Sequence, residues 1–144
     1  MGKLSVILLF FTLLLIQPCF AETLTAEQTA NSFITACARS QIDKAQTLCT
    51  STIINVFQKE KISSRTFYQS IQEITARPYA ISKVRDDTKS AFFYLAQKGS
   101  SGYPDRVNMR IFLLNLNGVW KISAFNYSEG NLDREGNYYR SKTL

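Results

Sequence analysis

Cys37 and Cys49 are the two side chains in the body of this 144-residue chain best suited by type to covalent chemistry. In an oxidising compartment such a pair forms a disulfide. Closing so short a loop would stabilise the fold by about 2–3 kcal/mol, mainly through the unfolded chain. The alternative is that both pack as small apolar free thiols. Two thiols are too few for structural zinc, and the chain has no histidine to complete a site. That absence also removes the commonest general base. No catalytic triad, metal-ligand spacing or glycine-rich phosphate loop is present, so the sequence predicts no catalytic residue, no metal and no cofactor. Asn126-Tyr127-Ser128 matches a glycosylation acceptor, a triplet that also arises often by chance.

The compartment is read from the N-terminus. Lys3 precedes an apolar run from Leu4 to Ile16 broken only by Ser5 and Thr12. A helical membrane span needs about 20 apolar residues, so the run fits the core of a secretory signal better than an anchor. Gln17-Pro18 stops it, and Cys19-Phe20-Ala21 offers small residues at the −3 and −1 positions of a cleavage site. The expected organisation is a signal peptide over 1–21, one domain over 22–127 and a polar tail of little structure over 128–144. The chain would be periplasmic or secreted, with no stable membrane anchor after cleavage. Retention of the segment as an anchor is the second reading. Lipidation of Cys19 is a third, opposed by Pro18 where a lipidation box has a small residue.

Seventeen lysines and arginines stand against eleven acids, a net charge of +6. Residues 1–21 hold one lysine and no acid, so their removal leaves +5. The basic residues are dispersed and form no block, arm or aromatic-interleaved patch, which argues against nucleic acid.

The elements follow from periodicity. Thr25-Ala26-Glu27-Gln28 is a capping box, and Ala30, Phe33, Ile34, Cys37 and Ala38 follow at helical spacing. A helix over about 26–39 is predicted. A second helical stretch starts near Asp43 and is lined by Leu48, Cys49, Ile53, Val56 and Phe57. A third, capped by Ser63 or Ser64, carries Phe67, Ile71 and Ile74 and ends at Arg77-Pro78. Strands are predicted over 79–85, 90–97, 107–116 and 119–127. Asn117-Gly118 between the last two is the strongest local signal, a type I′ hairpin turn.

That turn sets the register: Leu116 opposite Val119, Leu114 opposite Lys121, Leu113 opposite Ile122. With strict alternation, Met109, Ile111, Leu113, Trp120, Ile122 and Ala124 face the core. Arg110, Phe112, Leu114, Leu116, Val119, Lys121 and Phe125 face outward. An outward face so apolar implies a cover, and Arg110, Phe112, Leu114, Leu116 and Phe125 form the candidate interaction face.

The predicted class is α+β, with two or three N-terminal helices packed on a curved antiparallel sheet of three to four strands. The layout resembles the nuclear transport factor-like superfamily of cone-shaped α+β domains. Ser40-Gln41-Ile42-Asp43-Lys44-Ala45 sits where members turn between their first two helices, and Gly118-Val119-Trp120-Lys121-Ile122 is similar to their last hairpin. The resemblance covers about residues 25–127. It implies a fold shared by isomerases, dehydratases, ligand binders and structural domains of secretion machinery, so function does not follow from it. Enzymatic members place an Asp, Tyr or His inside the cone. Here the candidates would be Tyr94, Asp86 and Asp87, but Tyr94 reads as sheet packing and the two acids as a solvated turn.

Three functions are thereby expected in order: an exported, non-catalytic binding or assembly domain that uses the outer sheet face for a homo-oligomer or a protein partner; a small-ligand binder or isomerase-like enzyme using the cone; and a membrane-anchored scaffold of a secretion system.

Overall fold

In the computed structural model of the chain, residues 23–59, 61–101, 103–132, 135 and 138–139 are described. The expected signal peptide with Cys19, and most of the residues after Leu132, lie outside them. Thr25 opens helix α1 (Ala26–Ala38): its hydroxyl accepts the Gln28 N–H at 3.2 Å, and the Gln28 side chain accepts the Thr25 N–H at 2.8 Å. The helix ends at Arg39, and Ser40 takes the left-handed conformation (φ 57°). Gln72 holds that strained residue in place by donating to its hydroxyl at 2.8 Å.

The second helical stretch is interrupted. Helix α2 (Ile42–Thr47) stops, and α3 (Ser51–Lys59) starts afresh. Between them Cys49 forms a parallel bridge with Ile122. The Ile122 N–H donates to Leu48 O and the Thr50 N–H to Ile122 O, both at 2.8 Å. These bonds satisfy backbone groups that a continuous helix would have used internally. Val56, expected on the buried side, is exposed. Helix α4 (Lys61–Thr75) begins before the expected Ser63 or Ser64 cap, and its stripe of Phe67, Ile71 and Ile74 is buried.

Among the described residues five antiparallel strands follow in chain order: β1 (Tyr79–Asp86), β2 (Ser90–Gln97), β3 (Asp105–Leu116), β4 (Val119–Leu132) and β5 (Tyr138–Tyr139). The class is α+β, with the four described helices on a curled sheet that forms a half-barrel. Asn117 (φ 54°) and Gly118 (φ 89°) make the hairpin turn, and the three expected pairs from Leu116–Val119 to Leu113–Ile122 are present. The expected strand end at Tyr127 is passed. β4 continues to Leu132, and β5 pairs Tyr138 with Leu132 and Tyr139 with Asn131.

One irregularity decides which residues face which way. Leu113 pairs with Ile122, but Phe112 pairs with Ala124, so Ser123 is an extra residue in β4. Its hydroxyl donates to Phe112 O at 3.1 Å. Such a bulge moves every later side chain to the other face. Phe125 is therefore opposite Ile111 on the helix side, stacked on Phe67 at 4.0 Å and Phe57 at 5.6 Å. Ala124 takes the outer position. The expectation is corrected for both: Phe125 is not part of the outer face, and Ala124 is not part of the core.

The core lies between the helices and the inner face of the sheet. Phe33, Ile34, Ile71, Phe93, Leu95, Met109, Ile111 and Ile122 are fully shielded, and Phe57, Phe67, Tyr68 and Phe125 form an aromatic cluster beside them. These side chains pack the helices against the inner face of the sheet.

Candidate functional site

Alternation along β3 sends Arg110, Phe112, Leu114 and Leu116 away from the helices. β2 sends Phe92, Tyr94 and Ala96 the same way, through the pairs Phe92–Phe112 and Tyr94–Arg110. The Phe92 and Phe112 rings stack nearly parallel, 3° apart in plane, with centroids 4.6 Å apart. Beyond them Leu114 is 41 % exposed, Leu116 48 % and Val119 45 %. Four of the five residues read from the sequence thus share one face, and Phe125 alone leaves it.

Two partners were not read from the sequence. Phe92 is legible in hindsight, because it alternates with Tyr94 in β2. Tyr138 is not, since it lies beyond the expected end of the fold. It rests on Gly130, where a Cβ atom would come within 2.3 Å of its ring. From there it reaches Tyr94 at 5.4 Å and lies under Arg110 at 4.5 Å. Leu132, Val107 and Ala96 are buried with Tyr94 in a second small cluster. One end of the outer face is therefore closed by β5, and the end near the Asn117-Gly118 turn is open.

The residues that could have done acid–base chemistry do not converge. Tyr94 is on the outer face, not inside the cone. Asp87 sits in the β1–β2 turn, where its carboxylate accepts the N–H groups of Lys89 and Ser90, both at 2.8 Å, and pairs with Arg85 at 3.1 Å. The backbone N–H groups of Lys89 and Ser90, foremost, hold this carboxyl down to about 2. A carboxylate so engaged is a turn staple, not a base. Asp86 pairs with Lys83 at 3.7 Å.

Cys37 and Cys49 are separate buried thiols, and the expected disulfide is corrected: their sulfurs are not at bonding distance. Cys37 lies in the last turn of α1. Cys49 sits on the bridge to Ile122, and its thiol donates back to Ala45 O at 3.4 Å. Burial pushes both thiols up, Cys49 to about 12, and each opposes ionisation of Cys37 or Tyr68 nearby. Burial likewise pushes Tyr68 to about 12. These groups are held neutral, the opposite of an activated nucleophile.

Among the described residues, no group of three His, Cys, Asp or Glu side chains is arranged to hold a metal ion. No described helix is long and apolar enough to cross a membrane. An open hollow of about 480 Å³ lies over the start of α1, lined by Leu24, Thr25, Glu27, Gln28, Asn31 and Ser32. No protein-family model matches the chain, and a search of the curated proteins finds no match.

Proposed function

We propose that this chain is an exported, non-catalytic binding or assembly domain that docks a protein on the outer face of its sheet. The observation that carries the reading is the open row of Phe112, Leu114, Leu116 and Val119, flanked by the Phe92–Phe112 stack. Apolar residues gathered on one face, unlike scattered ones, mark interaction surfaces. The placing of Tyr94 on the outer face, away from the inner core, supports the outer face over the cone as the working surface. The N-terminal pattern of Lys3, the apolar run and Cys19-Phe20-Ala21 supports export to the periplasm or the exterior. The resemblance to nuclear transport factor-like domains remains part of this proposal, supported by four helices packed on a curled antiparallel sheet.

Leu114→Asp tests it. The site is half-exposed, so the variant is expected to lose no more than about 0.5 kcal/mol of stability. Recovered from its native compartment, the wild-type chain should run in light scattering as a complex heavier than one chain. The variant should run as a single chain. If the two run alike, this surface is the wrong one.

A further inference from the structure

The outer face has a cation at the β5 end of its apolar row. Arg110 lies over the Tyr138 ring at 4.5 Å, and its Nε–H is buried with no acceptor. Three other cations near this face are engaged: Arg85 with Asp87, Lys98 with Asp105, and Lys121 with the Thr47 carbonyl. Among the described residues Arg110 has neither an ion pair nor a hydrogen bond to its side chain. With its Nε–H buried, the guanidinium over the ring has its two terminal Nη groups left for an acceptor arriving from outside. Gly130 makes this possible, since any side chain there would displace Tyr138.

The geometry points to Arg110 as the carboxylate-receiving point of the docking face, so that the partner is a protein presenting an acidic side chain among apolar ones. This rests on the docking reading above. A carboxylate bridging the two terminal Nη groups would supply the missing acceptor, while Phe112, Leu114 and Leu116 take the apolar neighbours. A second copy of this chain fits less well. It brings another Arg110, and Asp105, the carboxylate in the outward row of β3, is already held by Lys98 at 2.8 Å. Like charges brought together oppose self-association.

The test is a titration of the isotope-labelled chain with 4-phenylbutyrate and with 4-phenylbutanamide, followed by amide NMR shifts. Both should move Phe92, Arg110 and Phe112, with the carboxylate bound about fivefold more tightly, the upper end for a partly exposed ion pair. Arg110→Gln should remove that difference and leave amide binding unchanged. Gly130→Ala should narrow it by displacing Tyr138. Leu114→Asp should weaken both ligands alike. Equal binding of acid and amide to the wild type would overturn the carboxylate assignment and leave the docking face standing. Shifts of neither ligand on this face would overturn both. Arg110-dependent binding to phosphatidylglycerol vesicles, with no preference between the two small ligands, would assign the cation to a lipid surface and overturn the protein partner.

Discussion

Phe125→Ala is expected to lower the unfolding free energy by about 2 kcal/mol, and Phe112→Ala by about 1 kcal/mol or less, both measured by urea denaturation. The two residues lie on neighbouring strands, and strict alternation from the hairpin turn puts both on the outer face. The extra residue at Ser123 separates them. Phe125 enters the aromatic cluster of Phe57 and Phe67, at 5.6 and 4.0 Å. Phe125 is itself half-buried, so removing its ring costs two ring stacks and the partial burial beneath α3 and α4. Phe112 is also half-buried but, among the described rings, stacks on Phe92 alone, so its loss is mostly one lost stack. Equal losses at the two positions, or the reverse order, would mean that the bulge is absent and that Phe125 belongs to the docking surface.

The second large effect concerns the thiols. In the folded protein Cys37 and Cys49 should react with an aromatic disulfide reagent at least ~10³ times more slowly than in guanidinium, because reaction needs opening of the core. In guanidinium without reductant both should react at once. Sulfurs that became reactive only after reduction would show a bridge instead. The same burial predicts alkaline sensitivity. In the unfolded chain the thiol of Cys49 ionises near 9.0, in the folded chain near 12. A group raised on folding contributes stability below its unfolded value and loses it as pH rises toward the folded one. Stability should therefore fall from about pH 9 upward, with Tyr68 adding to the fall above its own ordinary value of 10.0. Cys49→Ala should flatten the slope, while a slope unchanged in that variant would place the sensitivity elsewhere.

Local signals were readable from the residues, and non-local ones were not. The Thr25–Gln28 capping box and the Asn117-Gly118 turn each use side chains within a few positions of one another, and both appear as expected. The break at Leu48–Thr50 depends on Ile122, far along the chain, while the apolar spacing on both sides of it is helical. The bulge has no marker, since Ser123 is an ordinary polar residue in an alternating strand. The extension of β4 is written in polar residues that read as a tail, and it is stabilised by Tyr138 lying on Gly130. Of the candidate site, the row from Arg110 to Leu116 followed from the turn. Its limits did not: Phe125 left through the bulge, and Phe92 and Tyr138 entered from other strands.

If a protein docks on the sheet, the outer face is covered in the working complex. Carbene footprinting of the chain, isolated and then in the complex recovered from its native compartment, reads that cover residue by residue. Labelling of Phe112, Leu114, Leu116 and Val119 is expected to fall in the complex, while labelling of Val56 on α3 and of Leu24 beside α1 stays unchanged. Protection at Val56 or Leu24, with the β3–β4 hairpin labelled as in the isolated chain, would contradict it and move the docking surface to the helices.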